Sequence, residues 1–359
     1  MNKKPVVVIG MSGGVDSSVS ALLLKEQGYE VIGMFMKNWE EKNATGVCAA
    51  AKEYEDVVRV CEQIDIPYYS VNFAEEYQTH VFSHFLEELK AGFTPNPDIL
   101  CNREIKFKYF FEKALSLGAG YLATGHYCQT DNGLLYKGLD NNKDQSYFLY
   151  TLQKKTLHQV LFPIGHLEKS EVRALAHKHN LATAAKKDST GICFIGKRDF
   201  KEFVSHYLAF QPGNFETLSG KVVGQHDGIA YYTIGQRKGL AIGGPGDAWF
   251  VVGKDVSRNV VFLEQGTDHP SLYAPALTAT EASWVSGALP EKFPFHCTAK
   301  IRYRQEDQEC VIKKIDDGRL FVSFLKPQRA ITPRQSIVFY DKTRCLGGAM
   351  IEAASLLHD

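Results

Sequence analysis

The chain has no run approaching the roughly eighteen consecutive apolar residues of a membrane span, which predicts a protein with no membrane partner, placed in the cytoplasm. Residues 6–9 are apolar and follow Lys3 and Lys4, but the run is too short for a signal-peptide core and leads straight into glycines. Net charge is missing as well: Lys plus Arg and Asp plus Glu both total 41, so the field of the whole molecule does nothing to attract a polyanion, and any nucleic-acid site must be local. There is no C-x-x-C pair. Cys48, Cys61, Cys101, Cys128, Cys193, Cys297, Cys310 and Cys345 are scattered, which excludes a dense disulfide scaffold, offers zinc no paired ligands and points to a reducing compartment.

What is present is enough apolar material, 44% of 359 residues, for more than one core; at roughly 100–200 residues each, two or three domains are expected. Over the first two hundred residues, strand-like and helix-like patterns alternate. Val6, Val7, Val8 and Ile9 form a β-branched run, Val19, Leu22 and Leu23 follow at helical spacing, and residues 31–36 are apolar again. Helical spacing returns at 54–64 and 107–117, strand-like runs at 68–73 and 121–124. The alternation predicts an α/β fold, a doubly wound parallel sheet whose ligand crevice lies at the strand ends near Gly10, Met36, Phe73 and Gly125. Past residue 203 the pattern becomes glycine-punctuated and alternating, including 229–234, 249–253, 297–303, 310–315, 320–325 and 336–340. This predicts two small β domains, with the chain divided as 1–203, 204–273 and 274–359.

The strongest local signal is Gly10-Met11-Ser12-Gly13-Gly14-Val15-Asp16-Ser17-Ser18, between a buried strand and a helix. Such a loop points backbone N–H groups and a helix dipole at an anion. No lysine precedes Ser17, as a Walker loop requires, and there is no G-x-G-x-x-G spacing, so γ-phosphoryl and hydride transfer lose ground. The competing reading is a tight turn in which Asp16 or Ser17 only caps the helix.

A second segment, Thr94-Pro95-Asn96-Pro97-Asp98-Ile99-Leu100-Cys101-Asn102, carries two prolines and predicts an extended, exposed loop with Cys101 near a helix N-terminus, a position that favours thiolate. Asp98 suits general acid–base work. A buried, inert cysteine beside a turn-forming aspartate is the alternative. Cys193, in an apolar patch flanked by Gly191 and Gly196, reads on its own as a core residue.

Ser12-Gly13-Gly14-Val15-Asp16-Ser17 resembles the SGGxDS pyrophosphate loop (PP-loop) of the ATP pyrophosphatase superfamily. Asn96-Pro97-Asp98 with Cys101-Asn102, Gly125-His126-Tyr127, Lys143-Asp144-Gln145-Ser146-Tyr147, Gly191-Ile192-Cys193-Phe194 and Arg302-Tyr303 follow in the order found in bacterial tRNA-specific 2-thiouridylases, a resemblance that covers essentially the whole chain. It implies an adenine nucleotide alpha-hydrolase-like first domain that uses ATP, with magnesium, to adenylate the C2 oxygen of the wobble uridine, U34, of a tRNA. Gly10, Met11, Ser12, Gly13, Gly14, Val15, Asp16 and Ser17 would hold ATP, with the backbone at Met36 and Gly125 along the adenosine. The family also implies a persulfide on Cys193, Cys101 as its nucleophilic partner with a transient disulfide between them, Asp98 managing the proton, and Asn96 and Pro97 contacting a flipped base. Lys143, Asp144 and Gln145, together with Arg302 and Tyr303 in the C-terminal barrel, would contact tRNA.

Without the resemblance, Lys143-Asp144-Gln145 reads as a solvated loop, and Arg302-Tyr303-Arg304 as a strand with a tyrosine filling the barrel. Residues 232–240 form a further basic, glycine-bounded segment, and His126 reads either as a base or as a positioning residue. One departure from the family stands out: Cys128 and Gln129 occupy positions commonly held by a small and a basic residue. The implied partners are tRNA and a sulfur donor, either a cysteine desulfurase or a persulfide relay protein, with a monomer as the default. An amidating enzyme of the same superfamily, with no need for Cys101 or Cys193, and a non-catalytic RNA-binding protein are the competing functions.

Overall fold

The computed structural model describes residues 4–39, 49–188, 199–315 and 318–355. Strand β1 (Val6–Met11) is the buried run expected from its β-branched residues, and it lies in the middle of a five-stranded, all-parallel sheet. Its neighbours are β2 (Glu30–Lys37) on one side and β4 (Tyr121–Ala123) on the other, with β3 (Tyr68–Asn72) and β7 (Val160–Leu161) at the edges. Alternate side chains of one strand feed two cores. Val8, Met34 and Leu122 pack beneath helices that supply Tyr77, Phe82, Phe85, Ile105 and Phe110. Val7, Ile9, Val31 and Ala123 face the opposite layer, where helices α1 (Val15–Glu26) and α2 (Ala49–Gln63) and the helix Lys169–Lys178 supply Val19, Val57, Val60 and Val172. Helices on both faces make the sheet doubly wound, as the alternation predicted. The chain moves outward from β1 through β2 to β3, then returns to β4 on the other side, so the topological switch point falls beside the carboxyl end of β1.

Helix α1 holds Ser17, Ser18 and Ser20 in buried positions, which an apolar stripe would not predict. Each hydroxyl is satisfied by the carbonyl of the preceding turn: Ser17 and Ser18 donate to Gly14 at 3.1 and 2.8 Å, and Ser20 to Asp16 at 2.8 Å.

A four-stranded sheet follows. It comprises β8 (Gly213–Glu216), β9 (Val222–His226), β10 (Trp249–Asp255) and β11 (Val260–Gln265) in the order β10-β11-β8-β9, around its own core of Phe215, Tyr232, Val251, Val261 and Leu263. Residues 229–234, expected in an alternating strand-like segment, instead begin as the short 3-10 helix Ile229–Tyr231. The last unit contains β12 (Tyr273–Trp284), β13 (Phe295–Lys300), β14 (Gln308–Lys314), β15 (Leu320–Arg329), β16 (Ser336–Asp341) and β17 (Arg344–Ser355), closed into a barrel by β12 pairing with both β15 and β17. Trp284 stacks on Phe339 inside it, with ring centroids 5.6 Å apart.

The barrel sheet is extended by a hairpin from the first two hundred residues. Strands β5 (Cys128–Asp131) and β6 (Leu134–Lys137) add to β17, with Leu135 opposite Cys345 and Tyr136 opposite Arg344. Leu135 is fully buried in the core shared with Val338, Tyr340 and Cys345. Leu135→Ala is expected to lower stability by about 2–5 kcal/mol, read as a lower urea midpoint; an unchanged midpoint would mean that the hairpin is not seated on the barrel.

Candidate active site

The glycine loop occupies the switch point. Gly13 has φ of +70°, and a Cβ there would collide with the carbonyl of Glu53 in α2, so only glycine allows the loop to pass this close. Gly125, just beyond β4, is equally constrained, because a Cβ would lie 2.8 Å from the backbone nitrogen of Ser17. Within the loop, Ser12 N–H donates to Ser17 Oγ at 3.2 Å and the two hydroxyl oxygens are 3.2 Å apart. Gly14 stands at the N-cap of α1 with no side-chain cap, so the first N–H groups of a twelve-residue helix face outward behind two serine hydroxyls. This arrangement suits the anionic end of a nucleotide.

Cations surround the loop. Lys169 is only 9% exposed, and its ammonium donates to both carboxylate oxygens of Asp16 at 2.6 and 2.8 Å and lies 2.8 Å from Asp188. Tyr127 donates its hydroxyl to Asp16 at 2.8 Å; burial, followed by the Asp16 charge, pushes the phenol well above its ordinary range. Asp188 also receives Lys143 and Arg173, each at 2.7 Å. Burial alone would raise Asp188, but the bonds from Lys143 and Lys169 together outweigh it and hold the carboxyl at about 2. Lys186 donates to the Gly13 carbonyl at 2.8 Å and to Asp56 at 2.7 Å. Lys169, Arg173, Lys186 and Asp188 were not among the residues expected from sequence, and Tyr127 stood there only as part of the Gly125-His126-Tyr127 motif, with no role of its own. For Lys169 and Arg173 the one local signal was the capping box of Glu168 and Glu171, which begins the helix that carries both.

The segment carrying Asp98 and Cys101 is neither extended nor exposed. Asn96 is the N-cap and Pro97 the first residue of a short helix Pro97–Leu100, which runs on as a π-helical stretch Cys101–Tyr109 and then as the helix Phe110–Ser116. Cys101 lies a full turn past the helix start and is 1% exposed; the prolines set the helix entry rather than forbidding a helix. The Phe110 ring at the far end of this rod lies against Gly10, where a Cβ would be 3.3 Å from it, so the segment packs on the strand that feeds the glycine loop. Its near end is held by both β units, through Thr94 to Thr233 at 3.2 Å, Gln335 to the Thr94 carbonyl at 2.6 Å and Lys254 to the Gly92 carbonyl at 2.8 Å. Burial raises the Asp98 carboxyl above its ordinary value, opposed by the charge of Lys106. His126 is held neutral, first by burial and then by Lys106, and its Nδ1 pairs with Thr124 Oγ1 at 2.8 Å. That is a positioning arrangement. Cys128 is fully buried in β5, not in the crevice. Met36 is half-buried near the end of β2, next to β1. Cys193 lies outside the described residues.

The residues expected to meet RNA fall into two groups. Lys143 turns toward Asp188, whereas Asp144 is 4% exposed and accepts from the N–H groups of Gly138 and Ser146, both at 3.1 Å. Gln145 accepts from the Tyr127 N–H at 3.0 Å. The Asp144 and Gln145 side chains thus build the loop itself. Arg302 and Tyr303 are not on a strand but in the turn between β13 and β14, because β13 ends at Lys300. Arg302 donates to the Ala330 carbonyl at 3.1 Å and to Thr332 Oγ1 at 2.5 Å. Tyr303 packs on Phe148 with centroids 4.5 Å apart and reaches the Lys143 carbonyl at 3.4 Å, which joins the barrel turn to the Lys143 loop.

A nucleotide-type glycine loop at the switch point of a doubly wound sheet, followed by two β units, defines an α/β protein of the PP-loop class. Comparison with known sequences narrows the class. Residues 5–197 match the family described as tRNA methyl transferase HUP domain, 201–265 the tRNA methyl transferase PRC-barrel domain and 275–351 the aminomethyltransferase beta-barrel domain. The tRNA-specific 2-thiouridylase MnmA of Protochlamydia amoebophila is 63% identical over 357 residues, covering 98% of this chain and 94% of that protein. That of Bacillus subtilis is 56% identical over 359 residues, covering 98% and 97%. The chain belongs to the tRNA-specific 2-thiouridylase family. The domain descriptions name other activities, but it is the full-length relatives that match across all three units. A solved U34-tRNA thiolase, NcsA from Methanococcus maripaludis, overlaps 57% of this chain and 65% of its own at 20% identity and a TM-score of 0.38, too low to carry any argument.

The depressed Asp188 carboxyl makes a testable contribution to stability. It is present in full above its ordinary value of 3.8 and is lost as pH falls through about 2. The urea midpoint of the wild type is expected to fall more steeply between pH 4 and 2 than that of Asp188→Asn; parallel curves would show that the carboxylate is not held by its lysines.

Proposed function

We propose that this chain is an ATP-dependent enzyme that converts uridine 34 of tRNA to 2-thiouridine, in the cytoplasm. The observation that carries the reading is the packing of the Asp98–Cys101 rod, through Phe110, onto the strand that ends in an uncapped, glycine-lined helix N-terminus. This sets the segment that carries an acid–base group and a thiol against the strand that feeds the phosphate cradle, on the sheet face opposite α1. The residues present suit ATP: Gly13 and Gly125 leave room for nothing but backbone, the first turn of α1 offers unpaired N–H groups, and Lys169 and Lys186 are positioned at Asp16 and at the Gly13 carbonyl. ATP bound there would supply the adenylyl group that turns the C2 oxygen of uridine into a leaving group, with pyrophosphate and then AMP as products. Among the described residues no group of three His, Cys, Asp or Glu side chains fits a metal ion, so magnesium is assigned to no protein ligand.

The protein's own part is positioning and proton handling. Ser12, Ser17 and the first N–H groups of α1 hold the anionic end, while the backbone at Met36 and Gly125 borders the nucleoside. Asn96 and Pro97 sit at the helix entry, where a base taken out of the anticodon stack would meet Asp98. Asp98, with its carboxyl raised by burial, exchanges a proton near neutrality more readily than an exposed aspartate does. A persulfide on Cys193 delivers its outer sulfur to C2 as the oxygen leaves. The Cys101 sulfur then attacks the inner Cys193 sulfur, which frees the thiocarbonyl and leaves a Cys101–Cys193 disulfide for a reductant to reopen. Sulfur reaches Cys193 from a cysteine desulfurase or a persulfide relay protein. The Lys143 loop, shaped from within by Asp144 and Gln145, and the Arg302–Tyr303 turn that reaches it through Tyr303 are where the tRNA docks, on a protein that acts as a monomer.

Incubation of the purified protein with ATP, magnesium, a persulfide source and unmodified tRNA, followed by digestion and mass analysis, is expected to yield 2-thiouridine. Cys193→Ser and Cys101→Ser should each lower the yield at least a hundredfold while tRNA still binds. ATP turnover on another acceptor that survives both substitutions would support an amidating enzyme; tRNA binding without pyrophosphate release would support a non-catalytic binder.

The raised Asp98 carboxyl sets the acid limb of the rate. A base must be ionised, so activity should fall as pH drops through a midpoint above the ordinary carboxylate range. Lys106→Met, which removes the opposing charge, should move that midpoint further up. A limb that stays in place would remove Asp98 from the proton transfer.

A further inference from the structure

Cys297 in β13 and Cys310 in β14 are directly opposite one another in the antiparallel ladder, and their sulfur atoms are 3.6 Å apart. They are not joined in the structure. Facing residues of an antiparallel pair have Cα atoms about 4.5–5.5 Å apart, inside the span of about 4.4–6.8 Å that a disulfide accepts. We propose that Cys297 and Cys310 form a reversible dithiol–disulfide pair, oxidised by exchange with a low-molecular-weight disulfide, that staples the β13–β14 hairpin of the barrel.

The two positions differ in a way that sets the order of events. Cys297 is partly exposed, whereas Cys310 is buried in the barrel core with Ile312, Phe324 and Ala299. The hydrogen bond that the Cys310 thiol can donate to Cys297, and then burial, keeps the Cys310 thiol protonated. The outer sulfur therefore reacts first. Cys297 loses its proton and attacks the small disulfide, forming a mixed disulfide and releasing one thiol. Cys310 then gives up its proton and attacks the Cys297 sulfur, expelling the second thiol. Two cysteine thiols and one disulfide RSSR become one protein disulfide and two RSH, so the two electrons lost by the protein are gained by the small disulfide.

The staple would cross the middle of the β13–β14 ladder, whose turn carries Arg302 and Tyr303. The turn's outer contacts, Tyr303 on Phe148 and Arg302 on Thr332, are noncovalent and would stay in place. The pair is far along the chain from Cys101 and Cys193 and its chemistry does not depend on the thiolation reading.

The test uses the full chain treated with oxidised glutathione, followed by alkylation under denaturing conditions, digestion and peptide mapping, which separates this link from any Cys101–Cys193 link. The expected result is a linked peptide pair containing Cys297 and Cys310, released by dithiothreitol, and a urea midpoint higher in the oxidised than in the reduced protein. Cys310→Ala should stop at the mixed disulfide on Cys297, and Cys297→Ser should leave Cys310 unmodified; in both, the oxidation-dependent rise in midpoint disappears. Recovery of both cysteines alkylated from folded wild type, or a mixed disulfide on Cys297 that does not resolve, would overturn the proposal.

Discussion

A buried ammonium group organises the first domain. Lys169 stands almost out of solvent, and a charge in that position is tolerated only where opposite charge meets it at close range. Asp16 and Asp188 provide that charge from parts of the chain 153 and 19 residues away. One aspartate belongs to the glycine loop, and the other also takes Lys143 and Arg173. The loop, the helix Lys169–Lys178 and the Lys143 segment are thereby fixed relative to one another. Without this network the glycine loop would be a turn with a free rim. With it, the loop has a floor of α2 backbone at Gly13 and a cationic wall.

The β units stabilise by a different means. The loop that carries Lys143 is bolted to the barrel by buried hydroxyls: Tyr147 to the Ser336 carbonyl at 2.8 Å, Tyr150 to Ser336 Oγ at 3.1 Å and Ser146 to Tyr340 at 3.1 Å. Buried polar groups with fixed partners specify a single arrangement more strictly than apolar contact does. The segment 92–97 is tied to both the small sheet and the barrel, so the rod bearing Asp98 and Cys101 is placed by all three units rather than by the first alone.

Features encoded in adjacent residues were legible in the sequence. Four of the five parallel strands, the glycine loop and the strand ends near Gly10, Met36 and Gly125 follow from β-branched runs and glycine spacing. The fifth, β7, has two residues, too few for any pattern. Lys169, Lys186 and Asp188 were not legible as site residues because their roles arise only when the chain returns to α1. The prolines around Asn96 suggested an open loop; in fact Pro97 starts a helix, and proline serves either purpose. Arg302 and Tyr303 carried on an alternating pattern past the end of β13, where the backbone had already turned. Strand β17 contains Gly347 and Gly348, which allow the close approach of the Ser283 and Ile337 carbonyls.

The pairing of β6 with β17 joins residues more than two hundred positions apart. A ribosome releases the chain from the N-terminus onward, so the β5–β6 hairpin emerges with one edge bare and keeps it bare while the small sheet and most of the barrel are being made. An uncovered strand edge invites foreign strands. The stretch 134–137 ends on a lysine, a residue that discourages such pairing until Arg344 and Cys345 arrive. Completion of the first domain therefore waits on nearly the last strand synthesised, and a nascent chain halted inside the barrel carries a glycine loop whose neighbouring hairpin has no mate.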